Sequence, residues 1–396
     1  MWCSCADSPQ TTPCMVIVSC SGKFHAFNLA EQLHTQGLLE AFYTMYAYQK
    51  NRLARRLTTR VDREDIPPER IRTVVPFAIG VKLYQDFHFW NELFDRWVAG
   101  NLKQHAQARA FIGWSGMALH SLRRANGHVK ILERGSAHIR VQDAILQEEY
   151  RRLGRDFRID PRVVQKELKE YEVADFISIP SSFVKQSFLQ EGIPEEKLFV
   201  NPYGSSALFR GRKREKQSDV FRILYLGSLT VQKGMRYLFD ALRMFSPSRE
   251  EWEVWFIGKV DDEIRPLLEQ YRRPNWKVWG FVNHYELPDY LRQCDVGVMP
   301  SLQDGFGMVI NQMLACGLPV IATTNCGGPD VIQEGRNGFI VPIRSPEAIA
   351  EKLERLFHDS RLLQRMQRAA AASDGLNPSW EDYGRRYARF LHNVLT

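Results

Sequence analysis

The chain has 396 residues, of which 44% are hydrophobic and 25% are charged, and its formal net charge is +7. This composition is typical of a folded globular protein, and the length favours two domains over a single core. No run of about 18 apolar residues is present, so we expect no membrane-spanning helix. The positive charge fits anionic ligands or an anionic lipid surface, and the lack of a dedicated motif argues against a nucleic-acid partner.

The first 14 residues are polar and lack the apolar centre of a signal peptide, which predicts a flexible N-terminus over 1–14. The seven cysteines follow neither a zinc-ligand spacing nor a paired disulfide framework. We therefore predict reduced, buried thiols in a cytoplasmic protein. Peripheral attachment at the inner face of a membrane stays open.

Short apolar runs alternate with helical patterns along the first half of the chain. Strands are predicted at 15–19, 41–45, 110–113, 129–133 and 175–179, with a helix from 24 to 36 after the first of them. Such alternation predicts parallel βαβ units. A glycine-punctuated, charged connector over 204–219 then marks the best domain boundary.

The second half repeats the alternation after a fresh strand at 221–226. Further strands are predicted at 253–257, 296–299, 319–322 and 338–341, and the last helical pattern covers 379–394. Both halves therefore favour an α/β architecture with two parallel sheets.

Four aromatic residues recur at helical spacing downstream of a group of arginines: Phe87, Trp90, Phe94 and Trp97, after Arg52, Arg55, Arg56 and Arg60. One interpretation is a helix that docks on an acidic membrane or holds a lipid-linked acceptor. The other, which we prefer, is an aromatic core face beside a solvated basic loop.

The most informative stretch covers residues 300–328. Asp304 lies in the glycine-bracketed loop Asp304-Gly305-Phe306-Gly307, directly before a helical run that ends at Gly317. The first turn of a helix has unpaired N–H donors and the positive end of the helix dipole, so it favours anions. A carboxylate beside such a helix start suggests a ligand with both phosphate and hydroxyl groups.

This stretch resembles the retaining glycosyltransferases of family 4, the glycosyl transferases group 1. Their signature is Glu-Gly-Phe-Gly, a second glutamate at the spacing of Gln312, and then Gly-x-Pro-Val-Ile-Ala. Here Asp304 and Gln312 occupy the two acidic positions, and Gly317-Leu318-Pro319 opens the strand. The resemblance is good over roughly residues 220 to 345 and loose elsewhere.

The resemblance implies a GT-B-like fold, with two facing Rossmann-like domains, a cleft between them and a C-terminal helix that crosses back. We predict an acceptor domain over 15–204, a linker over 205–219 and a donor domain over 220–378. The helix over 379–396 would pack back on the N-terminal domain.

A nucleotide-sugar site in the donor domain is also implied. The first family carboxylate holds donor sugar hydroxyls and the second binds the ribose, which gives these roles to Asp304 and Gln312. Lys233 matches a lysine that binds the diphosphate, whereas Ser228 replaces its arginine partner. The segment that ends at Val282 resembles the one that frames the base. The predicted donor-binding residues are Gly22, Ser228, Lys233, Val282, Asp304, Gly305, Phe306, Gly307, Met308, Val309 and Gln312.

Two first-domain positions complete the predicted site. Gly22 lies in the first strand-to-helix turn, where a glycine allows backbone to approach a phosphate, or where it serves packing alone. His138 follows the strand at 129–133 and looks like the histidine that such enzymes place near the anomeric carbon. The alternative is a histidine that packs under a loop. The predicted catalytic residues are His138 and Asp304.

Metal ligands are scarce in the sequence. The cluster Asp261-Asp262-Glu263 lacks the Asp-x-Asp spacing of metal-dependent glycosyltransferases and fits the acidic first turn of a helix. We expect no metal and no cofactor beyond the nucleotide-sugar substrate.

The function that follows is a retaining, metal-independent glycosyltransferase that acts on a glycan, lipid-linked or small-molecule acceptor in polysaccharide or glycoconjugate biosynthesis. A nucleotide-sugar epimerase on the same fold is one alternative, which Gln312 slightly favours. A non-catalytic nucleotide-sugar-binding subunit is another, because Ser228 and Gln312 depart from the family pattern.

Overall fold

The computed structural model describes residues 15–45, 66–74, 80, 84–210, 219–245, 247, 251–372 and 377–396. Several predictions fall outside these residues: the N-terminus 1–14, the arginines Arg52, Arg55, Arg56 and Arg60, and part of the linker, 211–218.

The described residues alternate strands and helices in the order that the sequence predicts. The strands are β1 Met15–Cys20, β2 Leu39–Thr44, β3 Ile71–Thr73, β4 Ala108–Trp114, β5 Val129–Glu133, β6 Phe176–Ile179, β7 Leu198–Val200, β8 Phe221–Leu226, β9 Trp252–Ile257, β10 Trp276–Gly280, β11 Val296–Met299, β12 Val320–Thr323 and β13 Gly338–Val341. The helices are α1 Ala26–Thr35, α2 Phe87–Asn101, α3 Leu119–Arg124, α4 Ile139–Arg152, α5 Pro161–Val173, α6 Ser182–Gln190, α7 Met235–Met244, α8 Arg265–Tyr271, α9 Leu287–Leu291, α10 Met308–Ala315, α11 Gly328–Val331, α12 Pro346–His358, α13 Ser360–Ala372 and α14 Trp380–Leu395.

The strands form two sheets. The first has the order β3-β2-β1-β4-β5-β6-β7, and the second has the order β10-β9-β8-β11-β12-β13. In the first sheet β1 pairs in parallel with β2 and β4, and in the second β8 pairs in parallel with β9 and β11. The predicted α/β class with two parallel sheets is therefore confirmed.

Three strands were missed in the sequence: β3, β7 and β10. Each is an edge strand of its sheet. The first two have only three residues, and β10 alternates buried with more exposed positions. A continuous apolar run of sufficient length marks a strand that is covered on both faces. The three-residue strands β3 and β7 are too short for such a run, and β10 lacks it.

The chain divides into two compact units. The first unit comprises 1–133, 165–177 and 384–396, and the second comprises 134–164 and 178–383. In the second unit the core packs α7, α12 and α13 against the sheet around Phe239, Phe245 and Phe256, all fully buried. The predicted domain boundaries stay a prediction.

The last helix lies in the first unit from Gly384 onward. There the Arg109 guanidinium donates to the carbonyl of Leu395, and the ring of Phe390 contacts that of Phe176 edge-on, 5.3 Å between centroids. These contacts fasten the end of α14 to β4 and β6.

Helix α2 divides its aromatic residues between core and surface. Phe94 is fully buried, and the ring of Trp97 packs on Tyr43, 5.2 Å between centroids. Phe87, in contrast, is 65% exposed. The preferred interpretation as a core face therefore holds for the C-terminal half of the helix and not for its start. None of the described helices is long and apolar enough to cross a membrane.

Candidate functional site

The two loops that the sequence analysis selects meet at one point of the second sheet. From β8 the chain proceeds to β9 and β10 on one side, and β11 returns to the other side of β8. In open parallel sheets, ligands bind beside the carboxyl ends of the strands where the order reverses. The loop with Lys233 follows β8 and the loop with Asp304 follows β11, so both lie at this switch point.

Lys233 and Asp304 are directly paired. The Lys233 ammonium donates to Asp304 Oδ2, and the two side chains are 26% and 18% exposed. Asp304 Oδ1 accepts the backbone N–H groups of Phe306 at 3.2 Å and Gly307 at 3.1 Å. The carboxylate is thus anchored on one oxygen and neutralised on the other. This pairing brings together the residues predicted to bind the diphosphate and the sugar.

The loop before α10 offers fewer N–H donors to a ligand than the sequence suggests. The N–H groups of Phe306 and Gly307 already donate to Asp304, so the donors of the first turn proper are those of Met308 and Val309. Gly307 has φ +76°, a conformation that favours glycine, and it turns the chain into the helix.

Hydrogen bonds tie the two loops together. The N–H of Leu302 donates to the carbonyl of Gln232 at 3.0 Å, and Gln232 Nε2 donates to the carbonyl of Gln303 at 3.3 Å. Gly305 lies against the backbone of Gly135, and a Cβ at 305 would come 1.8 Å from the Gly135 carbonyl oxygen. The Ser181 hydroxyl donates to the Gly305 carbonyl at 2.5 Å. Hydrogen bonds and close backbone packing therefore fix the position of the Asp304 loop.

The other predicted donor residues lie around this pair with different exposure. Ser228 is exposed, and its carbonyl accepts the Tyr225 hydroxyl at 2.7 Å. Gln312 is half-buried, one turn into α10, and Val282 is buried after β10. Burial and the nearby Asp304 carboxylate raise the pKa of Tyr225, which keeps its hydroxyl protonated. Tyr225 is not among the site residues predicted from the sequence.

His138 is buried, with 2% of its side chain exposed, and it caps α4. Its Nδ1 accepts the N–H of Arg140 at 3.4 Å, and its ring lies edge-on to Phe188, 5.0 Å between centroids. Burial, with Arg134 and Arg140, lowers its pKa to about 4. The imidazole is therefore neutral at pH 7. This surrounding matches the alternative of a histidine packed under a loop, and the catalytic role stays a prediction.

Gly22 lies in the first unit, after β1, in the turn that leads to His25. A Cβ there would meet the ring of Phe24 at 2.3 Å, so the position suits packing of the turn. His25 points inward, and its Nε2 lies 3.0 Å from Glu133 Oε2 with both side chains buried.

The acidic cluster that the sequence analysis set aside as a helix start is such a turn. Asp261 Oδ1 accepts the N–H of Glu263 at 3.1 Å just before α8, and Glu263 accepts the Tyr150 hydroxyl at 2.5 Å. Within the described part of the chain, no group of three or more His, Cys, Asp or Glu residues could hold a metal ion. The four described cysteines, Cys20, Cys294, Cys316 and Cys326, are buried free thiols.

Residues 220–359 match the family model described as glycosyl transferases group 1. An uncharacterized glycosyltransferase of Methanocaldococcus jannaschii is 30% identical over 198 residues, which are 50% of each chain. The putative colanic acid biosynthesis glycosyltransferase WcaL of Salmonella typhimurium is 26% identical over 43% of this chain and 45% of its own. The chain thus spans about half the length of the curated relatives that it matches.

Solved structures agree with the fold over almost the whole chain. The sucrose-phosphate synthase of Thermosynechococcus elongatus has a TM-score of 0.73 at 16% identity, with 96% of this chain and 98% of that chain covered. HepE of Anabaena, solved in complex with UDP-glucose, has a TM-score of 0.68 at 15% identity, with 96% and 99% covered. The chain has the fold of these structures, and the predicted resemblance to the group 1 family is confirmed over residues 220–359.

Proposed function

We propose that this protein is a retaining glycosyltransferase that takes a sugar from a nucleotide-sugar and needs no metal ion. The observation that carries the proposal is the Lys233–Asp304 pair at the switch point of the second sheet, beside the start of α10. A nucleotide-sugar offers a diphosphate to the ammonium and to the first-turn N–H groups, and hydroxyl groups to the carboxylate. The UDP-glucose bound by HepE supports this class of donor.

Lys233 and Asp304 form an ion pair with each other. A bound diphosphate would compete for Lys233, and the released Asp304 Oδ2 would then accept hydroxyl groups of the transferred sugar. The bonds from Phe306 and Gly307 to Oδ1 hold the carboxylate in place during this exchange. Catalysis would rest on charge stabilisation at the leaving diphosphate and on orientation of the acceptor, so no side-chain nucleophile is required.

The lysine also accounts for metal independence in this proposal, since it supplies at the diphosphate the positive charge that a divalent cation supplies elsewhere. We expect UDP-, GDP- or ADP-sugar binding, whichever is the donor, to be unchanged by EDTA. Loss of binding in EDTA and its recovery with Mg²⁺ or Mn²⁺ would contradict this part.

Polysaccharide or glycoconjugate biosynthesis is the setting we propose, supported by the name of the WcaL relative. The acceptor would be a glycan, a lipid-linked sugar or a small molecule. Three exposed aromatic residues at and before the start of α2, Tyr84, Phe87 and Phe89, support peripheral contact with an anionic membrane. Flotation with phosphatidylglycerol and phosphatidylcholine vesicles tests this contact, and equal recovery from both would contradict the anionic preference.

The proposal is tested by calorimetric titration of UDP, GDP, ADP and their sugar conjugates into wild-type protein, Asp304→Asn and Lys233→Met. Asp304→Asn keeps an oxygen for the two loop N–H groups and removes the charge. We expect it to bind the free nucleotide as well as wild type or better, because Lys233 is released, and to lose the extra affinity given by the sugar. Lys233→Met should lower the affinity for the free nucleotide about tenfold or more.

Two results would overturn the proposal. The first is the absence of any nucleotide or nucleotide-sugar binding to wild-type protein. The second is tight binding without release of nucleotide in the presence of glycan acceptors, which would favour the non-catalytic subunit.

A further inference from the structure

A cluster of buried polar side chains lies in the first unit at the switch point of its own sheet. The chain runs from β1 to β2 and β3 on one side, and β4 returns to the other side of β1. The carboxyl ends of β1 and β4 therefore flank the place where ligands bind in sheets of this kind. Three residues at this edge form what we call the imidazole cluster: His25, Trp114 and Glu133.

The strand register places Trp114 and Glu133 side by side. They are register partners on the adjacent parallel strands β4 and β5, so their side chains leave the same face of the sheet. His25, at the start of α1, contacts both. Its Nε2 lies 3.0 Å from Glu133 Oε2, and its ring is 5.1 Å from the Trp114 ring between centroids.

Two polar atoms of the cluster are buried and unsatisfied. Among the residues that the structure describes, neither Trp114 Nε1 nor Glu133 Oε1 has a hydrogen-bond partner. Trp114 is 4% exposed and Glu133 is 1% exposed. A buried polar group without a partner destabilises the folded state substantially, and the loss of folding free energy is greatest for a carboxylate. Here the unsatisfied atoms lie at a ligand-binding edge and not in the middle of the core.

The two atoms are chemically complementary to one kind of group. Trp114 Nε1 is a donor, and Glu133 Oε1 is an acceptor. A hydroxyl group satisfies both, since it accepts from the indole N–H and donates to the carboxylate.

We infer that the imidazole cluster binds a saccharide hydroxyl, with Trp114 and Glu133 as its direct ligands and His25 as the residue that orients Glu133. This inference rests on the proposed function and adds residues that no part of the donor site includes. The hydroxyl can belong to a free acceptor glycoside or to the sugar of the nucleotide-sugar, and the experiment separates these sources.

The experiment follows the indole N–H resonances of the full chain labelled with ¹⁵N-tryptophan. Trp114→Phe assigns the relevant signal. The titrants are methyl glucoside, methyl galactoside, methyl mannoside, UDP and UDP-glucose. We expect a saturable shift of the Trp114 signal, while the signal of Trp252, at the amino-terminal start of β9 in the second unit, stays in place. A shift with a glycoside indicates a free acceptor, and a shift with UDP-glucose but not UDP indicates the donor sugar.

The variant series then tests Glu133. Glu133→Gln should raise the dissociation constant of the active titrant about tenfold, because the hydroxyl then donates to a neutral amide oxygen instead of a charged carboxylate. Glu69→Gln, at an exposed carboxylate of the same unit, is the control and should leave it unchanged. An unmoved Trp114 signal with every titrant would overturn the inference, as would an unchanged constant in Glu133→Gln. Calorimetric UDP binding reports on the proposed function separately, so either idea can fail while the other stands.

Discussion

Gly305 shows how one position without a side chain sets the geometry of the candidate site. Its Cα faces the Gly135 backbone so closely that an added Cβ would lie 1.8 Å from the carbonyl oxygen. A backbone carbonyl cannot rotate away from a clash as the end of a side chain can. The whole Asp304 loop would therefore have to move to make room for the Cβ. The glycine is therefore explained by the close approach of two backbones rather than by its own dihedral angle.

Replacement of Gly305 by alanine should destabilise the protein by about 1 to 3 kcal/mol, the usual effect of overpacking, and should abolish sugar-dependent donor affinity. Urea unfolding and calorimetry measure the two effects. Gly100→Ala is the control, because Gly100 lies in α2 with nothing near its Cβ position. That change should stabilise by about 0.5 to 1 kcal/mol. A Gly305→Ala protein with native stability and affinity would contradict the argument.

His138 gives a pH dependence whose sign follows from its surroundings. Burial, Arg134 and Arg140 lower its folded-state pKa from the usual 6.5 to about 4, and Glu191, 3.9 Å away, is the nearby carboxylate. The unfolded chain therefore binds the proton more readily between these two values. The neutral ring therefore contributes its full stabilisation above pH 6.5, the pKa in the unfolded chain. This contribution is lost as the pH falls toward 4, the pKa in the folded state.

We expect the wild-type protein to lose about 2 kcal/mol of unfolding free energy between pH 7 and pH 5 through this group. His138→Asn keeps a residue that caps helices but does not titrate. The variant should therefore lose less unfolding free energy than wild type over the same pH range. Urea unfolding at both pH values makes the comparison. Equal losses in the two proteins would show that His138 is not the titrating group.

At the scale of elements, α4, α7 and the turn after β13 meet at one buried carboxylate in the second unit. Glu149, on α4, accepts the Tyr237 hydroxyl at 3.1 and 3.0 Å and the Arg344 guanidinium at 2.9 Å. Only 2% of the Glu149 side chain is exposed. Arg344 has φ +59°, which a residue with a side chain rarely adopts, so the ion pair holds a strained backbone.

Arg344→Gly separates the two effects. Glycine relieves the backbone strain, but the buried Glu149 loses its cationic partner, which destabilises more strongly. We expect a net destabilisation of about 2 kcal/mol by urea unfolding, and partial recovery when Glu149→Gln is added.

Arg152→Gln is the control because Arg152 forms an exposed pair with Glu148 and should change stability little. If Arg344→Gly were as stable as wild type, the carboxylate would not depend on the arginine.

At the scale of the molecule, each unit contains a buried titratable group, and the two groups respond oppositely to pH. In the first unit Glu170 accepts the N–H of Gly116 at 2.6 Å and of Ala118 at 2.9 Å, after β4. Burial raises its pKa from 4.5 to about 8, against the opposing effects of Lys166 and the two N–H groups. The folded state therefore retains a proton that the unfolded chain releases.

The stability that Glu170 contributes is complete below pH 4.5 and is lost as the pH rises toward 8. Between pH 5 and pH 8 we expect a loss on the order of 3 kcal/mol, which Glu170→Gln should remove. Urea unfolding followed by fluorescence measures it. The first unit should thus weaken as the pH rises and the second as the pH falls, and a Glu170→Gln protein with an unchanged pH slope would contradict this.

Much of the architecture could be predicted from the sequence because buried parallel strands are apolar on both faces. Strands such as β1 and β8 need no knowledge of their neighbours to be recognised. The edge strands β3, β7 and β10 could not be found this way, since β3 and β7 have only three residues and β10 alternates buried with more exposed positions. The residues of the Asp304 loop were predicted through their spacing and family resemblance, which local sequence carries.

What the sequence alone determined is therefore the α/β class, the two sheets, the group 1 resemblance over residues 220–359 and the candidate residues Lys233 and Asp304. Only the tertiary structure decided which side chains meet. It paired Lys233 with Asp304, buried His138 as a helix cap, and turned His25 onto Glu133 beside Trp114. The Lys233–Asp304 and His25–Glu133 contacts join residues 71 and 108 positions apart. They depend on strand order and on which helix covers which face, and no local pattern of residues encodes that order.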